Sequence, residues 1–352
     1  MNATSIEWTD RSVNPIRARD KATGAVGHWC VKVSPGCKHC YSARFQPRRH
    51  MHDFVAANAE KVEPFLDRSK LEQVLRTRKP CRIFWCDMTD MFGDWVPDEW
   101  IDQCFAVMAL TPHLTHQVLT KRPERMRDYL TTPFRAGDEI REAIAEINAS
   151  RMTDVEYWAA DHEVPAWPLP NVWLGVSVEN QEAADERIPL LLSTPAAVRF
   201  LSVEPLLGPV DLLSPAAIAC RNQPGRCWCG CHITQIDGAP QPRKYGLGID
   251  WVIVGGESGP GARSCDVAWI RSIVEQCRAA GTPAFLKQLG ARPYDHIDNF
   301  RYWPDQAATL DDSLGRDHQG MHWLHLRDSK GGDPEEWPED LRVREIPVRR
   351  GA

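Results

Sequence analysis

Short apolar runs recur along the chain and alternate with longer segments of mixed polarity. Most of these runs are rich in apolar or β-branched residues, and polar residues directly follow most of them. Short apolar runs bounded by polar residues are typical of buried strands. The pattern predicts strands at Ser5–Thr9, Arg82–Cys86, Gln117–Thr120, Val172–Val176, Arg199–Val203, Trp251–Val254 and Ala284–Lys287.

Helix-length segments lie between the predicted strands. Pro97–Ala109 opens with a proline and two acidic residues, which suit the first turn of a helix. Asp138–Ile147 is amphipathic, and Val267–Ala279 ends close to Gly281, a residue typical of helix ends. Strands that alternate with helices indicate a parallel sheet, so the sequence predicts an α/β fold.

The number of strand–helix units predicts a partial or nearly closed (β/α) barrel rather than a two-domain enzyme. We expect this barrel to occupy residues 1–290, with residues 214–248 inserted as a cysteine-rich loop. After Gly290 the chain is rich in Gly, Pro and Asp, and its periodicity is weak. Residues 291–352 are therefore predicted to form a C-terminal tail that packs on the barrel.

Polar side chains follow one predicted strand after another. In a (β/α) barrel the residues just after each strand line one mouth, where ligands bind. The candidate site residues at these positions are Asp87, Thr89, Asp90, Lys121, Arg122, Ser177, Glu179, Asn180, Glu204, Glu257 and Lys287. Some of them can pair with each other as salt bridges. A purely structural barrel does not need so many charged strand ends, however, so the pattern favours a functional site.

Three cysteines lie close together near the N-terminus. Cys30, Cys37 and Cys40 have the spacing C-x6-C-x2-C, and Pro35-Gly36 supplies a sharp turn between the first two. Three thiolates on one loop can hold three irons of a 4Fe–4S cluster and leave the fourth iron open to another ligand. A zinc site completed by His39 and a set of buried thiols are the alternatives.

The cysteine loop is one of several motifs that together resemble a single family. The others are Ile6-Glu7-Trp8-Thr9, Asn14-Pro15, Leu119-Thr120-Lys121-Arg122-Pro123, Trp173-Leu174-Gly175-Val176-Ser177-Val178-Glu179-Asn180, Ser202-Val203-Glu204-Pro205-Leu206-Leu207-Gly208-Pro209 and Gly255-Gly256-Glu257-Ser258-Gly259-Pro260-Gly261. In combination they resemble the phage-associated three-cysteine-motif family, radical-SAM-like proteins often described as a domain of unknown function. The resemblance runs from about Ile6 to Gly290, and the motif order is more distantly similar to spore photoproduct lyase.

This resemblance implies a radical SAM barrel that binds a 4Fe–4S cluster and S-adenosylmethionine (SAM). In that superfamily SAM chelates the open iron, and one electron from the reduced cluster cleaves it to a 5′-deoxyadenosyl radical, which abstracts hydrogen from a substrate. The segment with Asp87, Thr89 and Asp90 resembles the part of the superfamily that contacts the SAM amino group. Three features depart from the superfamily pattern. The first cysteine gap is longer than in C-x3-C-x2-C, and His39 stands before the third cysteine, where an aromatic residue is usual, while the aromatic Tyr41 follows that cysteine instead. The stretch Asp20–Trp29 also looks like an insertion before the first cysteine.

Other strand-end residues suit the remaining groups of SAM. Lys121 and Arg122 are candidates to pair with its carboxylate, because a cation there forms a charge-assisted hydrogen bond. Ser177, Glu179 and Asn180 are candidates to hold its ribose. Salt bridges among these residues are the alternative for each of them.

Three residues late in the chain are candidates for substrate binding or catalysis. Glu204 suits either the cofactor or the substrate. Gly255-Gly256-Glu257-Ser258-Gly259 lacks the spacing of a dinucleotide or P-loop fingerprint. We therefore expect a tight turn that places Glu257 in the barrel mouth, rather than a phosphate-binding turn. Glu257 and Lys287 are the candidate catalytic residues, and Lys287 suits either an acid–base role or a structural ion pair.

A second group of metal-binding residues lies in the predicted insertion. It consists of Cys220, Cys227, Cys229, Cys231 and His232. Several soft ligands in a loop rich in Pro and Gly suit zinc, because a metal can stabilise a loop that has little core of its own. An auxiliary iron–sulfur cluster and a loop without metal are the alternatives.

Charge restricts the partners of the chain. Its 352 residues carry a formal net charge of −6 at pH 7, so any contact with phosphates must come from a local patch. The candidate basic groups are Arg44, Arg48, Arg49, His50 and His52, and Lys121, Arg122, Arg125 and Arg127. Solvated helix faces are the alternative. Nucleic acid is therefore one candidate substrate, and a nucleotide is another.

Compartment and function follow from the remaining features. The chain has no apolar run long enough to span a bilayer and no signal-peptide pattern at its start, so we expect a cytoplasmic protein without a membrane partner. There, 12 cysteines favour metal sites or buried thiols over disulfides. The sequence as a whole predicts a radical SAM enzyme with an unknown substrate and a reductant protein as electron donor. The alternative is a metal-stapled binding or adaptor protein without catalysis.

Overall fold

The computed structural model shows two compact units. The described residues are 2–132, 139–151, 167–213, 235–236, 239–240, 248–303 and 320–347. The first unit comprises Met1–Val176 and Thr194–Arg199, and the second comprises Ser177–Ser193 and Phe200–Ala352. Parallel strand pairs and helices occur in both units, so the fold is a mixed α/β fold, as the sequence predicts.

The first unit is built around parallel strands. Its strands are β1 (Asn2–Ala3), β2 (Arg11–Val13), β3 (Ile16–Asp20), β4 (Val26–Gly27), β5 (Val62–Leu66), β6 (Arg82–Trp85), β7 (Thr115–Thr120) and β8 (Val172–Ser177), the last residue of which belongs to the second unit. Its helices are α1 (Tyr41–Phe45), α2 (Arg68–Leu75), α3 (Asp98–Ala109), α4 (Pro123–Thr131) and α5 (Ile140–Arg151). β2, β6, β7 and β8 pair in parallel in that order, and β1 pairs antiparallel with β2.

Buried apolar side chains account for these strands and helices. All six residues of β8 are buried, which is typical of parallel strands covered on both faces. In the helices α3 and α4, Phe105 and Met126 are buried. Trp85 of β6 is fully buried and donates its indole N–H to Nδ1 of His116 in β7 at 3.0 Å. The polar atom of this large side chain is thus satisfied inside the core.

A smaller antiparallel sheet in the first unit carries the cysteine loop. β3 pairs with both β4 and β5. Its core includes Trp29 and Phe54, and the first cysteine, Cys30, packs against that core. Asp20 fixes the turn between β3 and β4 by accepting hydrogen bonds from the backbone and the hydroxyl of Thr23. The segment that looks like an insertion before the first cysteine is therefore folded.

The second unit is also built around parallel strands. Its strands are β9 (Val198–Val203), the first two residues of which belong to the first unit, β10 (Gln235–Ile236), β11 (Ala239–Pro240), β12 (Trp251–Gly255), β13 (Cys265–Asp266), β14 (Ala284–Gln288), β15 (Pro293–His296) and β16 (Met321–Trp323). Its helices are α6 (Gln181–Leu192) and α7 (Val267–Ala280). β9, β12 and β14 pair in parallel in that order, whereas β13, β15 and β16 form a second sheet.

The predicted helices are present where the structure describes them. Pro97 is the N-cap of α3, and α5 overlaps the segment predicted from Asp138, a residue outside the described ones. α7 ends at Ala280, and its C-cap is Gly281, whose φ of +66° is the left-handed conformation that glycine adopts without strain. None of the helices in the described part of the chain is long and apolar enough to cross a membrane.

The first predicted strand is wrong. The segment Ser5–Thr9 contains a turn, and strand β2 follows it. Trp8 in this turn is buried against Phe84, with ring centroids 4.7 Å apart. The apolar character of the run therefore reflects a packed turn. The other six predicted strands coincide with β6, β7, β8, β9, β12 and β14 to within two residues at each end.

The last described residues of the chain belong to the second unit and cover the edge of its parallel strands. The N–H of Leu286 in β14 donates to the carbonyl oxygen of Val343 at 2.8 Å. The N–H of Glu345 donates to the carbonyl oxygen of Ala284 at 2.9 Å. This segment satisfies backbone groups that an exposed edge strand would leave unpaired.

Candidate functional site

The cysteine loop of the first unit is a compact turn that leads into a helix. Pro35–Cys37 forms one 3₁₀ turn, and the N–H of Cys40 donates to the carbonyl oxygen of Cys37 at 3.3 Å. Cys40 is the N-cap of α1. The proline and glycine of this loop thus form the sharp turn expected between the first two cysteines.

Cys30 shares the electrostatic environment of the other two thiols. It is partly buried against the core of the small sheet, and this burial raises the pKa of its thiol to about 12. Negative charge on Asp90, Cys37 and Cys40 raises this pKa further, whereas the positive charge on Arg122 lowers it. The three thiols, Asp90 and Arg122 therefore lie near one another.

The fit of a metal cluster to this loop rests on the chemistry of its donors. Within the described residues, no group of three or more His, Cys, Asp or Glu side chains is arranged so that it could hold a metal ion. The loop does supply three thiols between Cys30 and Cys40. Three thiolates are the ligand set of a 4Fe–4S cluster with one open iron, and structural zinc usually takes four ligands. The donor set therefore fits the cluster better than zinc.

Asp87 fastens the cysteine loop to the end of strand β6. The Nδ2 of Asn14, just after β2, donates to Oδ1 of Asp87. Oδ1 of Asn14 accepts a hydrogen bond from the N–H of Met88 at 2.9 Å. The hydroxyl of Tyr41, the residue after the third cysteine, donates to the carbonyl oxygen of Asp87 and lies 3.2 Å from its Oδ2. One carboxylate thus joins two strand ends and α1.

Two further hydrogen bonds hold the loop against the same strand end. Thr89 donates its hydroxyl to the carbonyl oxygen of Trp29, the residue before the first cysteine. Ser42 donates its hydroxyl to the carbonyl oxygen of Met88 at 2.6 Å.

Just before Asp87, the buried Cys86 has a φ of +59°, which is unfavourable for a residue with a Cβ. Such strained positions concentrate at functional sites.

Asp90 and Arg122 form a buried ion pair beside the cysteine loop. Nη1 of Arg122 donates to Oδ2 of Asp90 at 3.0 Å, and the two side chains are only 11% and 9% exposed. Asp90 also accepts hydrogen bonds from the Thr120 hydroxyl at 2.7 Å and the N–H of Lys121 at 3.1 Å. Nη2 of Arg122 donates to the carbonyl oxygen of Val31 at 2.9 Å. The guanidinium therefore ties the cysteine loop to the end of β7.

The charge of Arg122 is secured by this arrangement. Burial alone lowers the pKa of Arg122, but the neighbouring Asp90 and Cys30 outweigh that effect and raise it. The guanidinium also lies over the ring of Trp95, 4.8 Å from its centroid. Arg122 consequently stays charged between the cysteine loop and the carboxylate.

In the second unit, Glu204 and Lys287 form an ion pair across strand β12. Nζ of Lys287 donates to Oε1 of Glu204 at 2.6 Å, and the side chains are 20% and 15% exposed. Glu204 follows β9 and Lys287 lies in β14, so Gly255 of β12 stands between them. A Cβ built on Gly255 would lie 3.5 Å from Oε1 of Glu204. The two predicted residues therefore meet as an ion pair, as the sequence allows for Lys287.

Glu257 is held by an arginine in the turn that contains it. Oε2 of Glu257 accepts hydrogen bonds from the N–H and Nε of Arg263 at 2.8 and 2.9 Å, and Oε1 accepts one from Nη2 at 2.6 Å. A Cβ on the preceding Gly256 would lie 2.2 Å from the carbonyl oxygen of Leu289. Close approach of two backbone segments thus accounts for this glycine without a bound phosphate.

The residues after β8 are held within the second unit. Glu179 is fully buried, and its Oε2 accepts a hydrogen bond from Nη1 of Arg187 at 3.0 Å. The same nitrogen donates to the carbonyl oxygen of the buried Ser177 at 2.9 Å. Oδ1 of Asn180 caps α6 by accepting a hydrogen bond from the N–H of Ala183 at 3.0 Å. These contacts are those of a well-satisfied strand end.

The predicted site residues form two sets, one in each unit. Those that the structure connects in the first unit are Cys30, Cys37, Cys40, Asp87, Thr89, Asp90, Lys121 and Arg122. Those of the second unit are Ser177, Glu179, Asn180, Glu204, Glu257 and Lys287, of which only Glu204 and Lys287 pair with each other in the contacts described above. The predicted zinc ligands Cys220, Cys227, Cys229, Cys231 and His232 lie outside the described residues, so that hypothesis stays a prediction.

Sequence reasoning missed the residues that hold the candidate carboxylates. Asn14 holds Asp87, Arg187 holds Glu179, and Arg263 holds Glu257. Asn14 belongs to the motif Asn14-Pro15 that contributes to the family resemblance, but its partner is 73 residues away. Arg187 and Arg263 follow their partners by eight and six residues. A search for a cation within one turn or helix after each strand-end carboxylate would have found both.

Comparison with known proteins places the chain in a family. No curated protein and no solved structure matches it. One family model, described as "Protein of unknown function (DUF5131)", matches residues 3–327, which include the cysteine loop and every described strand end discussed above. The chain therefore belongs to this family.

Proposed function

We propose that this chain is a radical SAM enzyme whose 4Fe–4S cluster is held by the cysteine loop. The observation that carries the proposal is the attachment of that loop to the end of β6. Asp87 accepts hydrogen bonds from Asn14 and from Tyr41, directly after the third cysteine. A loop with three thiols is thereby held at the carboxyl end of a parallel strand, the edge at which α/β proteins bind ligands.

Cys30, Cys37 and Cys40 would hold three irons and leave the fourth to the amino-acid end of SAM. When bound and reduced, the cluster and SAM would supply a 5′-deoxyadenosyl radical for hydrogen abstraction from the substrate. The parallel strands would then belong to a partial barrel of the radical SAM type. A reductant protein in the cytoplasm would deliver the electron.

The residues of the chain would bind and orient SAM around the loop. Asp87 and Thr89 supply oxygen atoms beside the cysteine loop for an ammonium group. Lys121 supplies a cation for a carboxylate at the end of β7. Asp90 and Arg122 hold the loop in place, because their ion pair connects it to that strand end. This separates residues that would contact SAM from residues that position the loop.

The residues of the second unit would serve the substrate. Lys287 donates a hydrogen bond to Glu204, so the pair can hold a proton on nitrogen and pass it to a neighbouring group. Glu257 is bound on both oxygens by Arg263, which suits an orienting role.

The experiment is metal analysis of anaerobically purified protein. The wild-type chain should contain about four irons and matching sulfide in this site. Combined replacement of Cys30, Cys37 and Cys40 by Ala should remove them. Combined replacement of Cys81, Cys104 and Cys277 by Ala is the matched control, because these cysteines lie elsewhere, and it should leave the iron in place. Full iron and sulfide in the first variant would overturn the assignment.

A binding or adaptor protein without catalysis is the second candidate. The observation that favours it is the pairing of three strand-end carboxylates with arginines: Asp90 with Arg122, Glu179 with Arg187 and Glu257 with Arg263. Carboxylates paired in this way hold the structure together and are less available to a cofactor or substrate. Isothermal titration of the cluster-loaded protein with SAM separates the two functions, since the adaptor would hold the cluster and not bind SAM.

A further inference from the structure

The segment around the cysteine loop has an unusual charge for this chain. Residues 21–52 contain no aspartate or glutamate, although the whole chain has a net charge of −6. They contain six cations: Lys21, Lys32, Lys38, Arg44, Arg48 and Arg49. Such a stretch attracts a polyanion locally, in spite of the negative charge of the molecule.

The structure exposes this segment and holds its backbone in one conformation. Four of the cations are exposed: Lys32, Lys38, Arg48 and Arg49. The backbone N–H groups of three of them, Lys32, Lys38 and Arg49, donate hydrogen bonds within the first unit. The buried Gln46 donates to the carbonyl oxygen of Ser42 and accepts from the N–H of His28, which fixes the turn after α1. The cations are therefore displayed on a preformed surface.

Aromatic rings are displayed among these cations. Tyr41 and Phe45 lie four residues apart on α1, so they share one face of the helix. Their exposed fractions are 46% and 43%, high for aromatic side chains. The guanidinium of Arg48 lies 5.9 Å from the centroid of the Phe45 ring. Exposed aromatic rings next to cations are the features with which proteins bind single strands, because bases stack on the rings and phosphates pair with the cations.

The second basic group is engaged within the protein. Arg122 pairs with Asp90, Arg125 with Asp98 and Arg127 with Asp128. Their positive charge is therefore largely compensated locally. Of the two basic groups that the sequence offers, the one around the cysteine loop is therefore the better candidate for a polyanion.

We propose that this surface, formed by Lys32, Lys38, Tyr41, Phe45, Arg48 and Arg49, binds single-stranded nucleic acid. An anionic membrane is the competing partner for a cationic surface. α1 has five residues, too short for an amphipathic helix that lies in a membrane interface. Because Tyr41 adjoins Cys40, the bound strand is also the substrate class of the proposed enzyme, a step that rests on the proposed function.

The test is a fluorescence anisotropy titration of full-length protein with a labelled 20-nucleotide single strand, as DNA and as RNA. Changing Lys32, Lys38, Arg48 and Arg49 together to Gln should weaken binding at least about tenfold, and should flatten the salt dependence because fewer counterions are released. Phe45→Ser should weaken binding about tenfold with little change in that salt dependence, because stacking is lost.

The matched control removes four exposed cations from α2 and the residues that follow it. Arg68, Arg76, Arg78 and Lys79 changed together to Gln alter the net charge equally and should leave the affinity nearly unchanged. Equal loss in both charge variants would overturn the proposal, as would tighter binding of the duplex than of the single strand. Binding of phosphatidylserine vesicles without binding of the oligonucleotide would assign the surface to membranes and also overturn it.

This titration uses neither SAM nor a reductant, so its outcome is separate from that of the proposed function. Oligonucleotide binding without SAM cleavage would leave the surface assigned and the radical enzyme rejected. SAM cleavage without oligonucleotide binding would do the reverse.

Discussion

At the scale of single residues, the strand ends are organised by buried carboxylates held by arginines or other donors. Asp90 is the clearest case, because it accepts hydrogen bonds from Thr120, Lys121 and Arg122 while almost excluded from solvent. A buried ion pair adds little net stability over an apolar pair. Removal of one partner is destabilising, however, because it leaves the other charge buried and unpaired. The role of Asp90 is therefore to position Arg122 and, through it, the cysteine loop.

Replacement of Asp90 by Asn should destabilise the first unit. The amide has nearly the shape of the carboxylate but leaves Arg122 without its charge partner, which costs about 3 kcal/mol for a buried pair. Asp128→Asn is the control, since Asp128 is 63% exposed and its pair with Arg127 contributes less than about 1 kcal/mol. Thermal melts read by circular dichroism measure both. Equal melting temperatures for the two variants would contradict the positioning role.

At the scale of elements, the turn after β12 depends on the absence of a side chain. Gly256 approaches the backbone that follows β14, and its N–H donates to the carbonyl oxygen of Gln288 at 3.0 Å. The next residue, Glu257, is held by Arg263. The geometry of this strand end is therefore set by backbone packing as much as by the charged residues.

Gly256→Ala should disrupt this turn. The new Cβ would lie 2.2 Å from the carbonyl oxygen of Leu289, so one backbone segment must move, at a cost of about 2 to 3 kcal/mol. Gly208→Ala is the matched control, because a Cβ there has no neighbouring atom within 4 Å. Denaturant titrations should show a lower midpoint for the first variant and an unchanged one for the second. A midpoint for Gly256→Ala equal to that of wild type would contradict this prediction, because it would show that the backbone accommodates the new Cβ without loss of stability.

Elements formed by local pattern could be predicted from the sequence, and elements formed by distant contacts could not. Six of the seven predicted strands are present, because a fully buried parallel strand such as β8 is apolar at nearly every position. The small sheet was missed, since β3 and β5 pair across about forty residues and each has mixed polarity. Ser5–Thr9 was misread because Trp8 is buried from within a turn.

The same distinction applies to the candidate site. Strand-end carboxylates are visible as single letters after apolar runs, so Asp87, Glu204 and Glu257 were found. The pairings of Asp87 and Glu204 could not be read in this way, because Asn14 with Asp87 and Lys287 with Glu204 join residues more than seventy positions apart. The partner decides whether a carboxylate stays available to a ligand or is held in place.

At the scale of the whole molecule, the account assigns distinct tasks to the two units. The first carries the three thiols, the residues that would bind SAM and the basic aromatic surface. The second carries the Glu204–Lys287 pair and the arginine-held carboxylates. The motifs that carry the family resemblance accordingly occur in both units.

The central claim is tested most directly by product analysis of the reduced, anaerobically prepared protein incubated with SAM. The account predicts slow formation of 5′-deoxyadenosine and methionine, even without substrate. It predicts no 5′-deoxyadenosine from the variant in which Cys30, Cys37 and Cys40 are changed to Ala. A protein that holds about four irons in this site and yet neither binds SAM nor releases 5′-deoxyadenosine would contradict the account and leave the cluster with a structural or redox-sensing role.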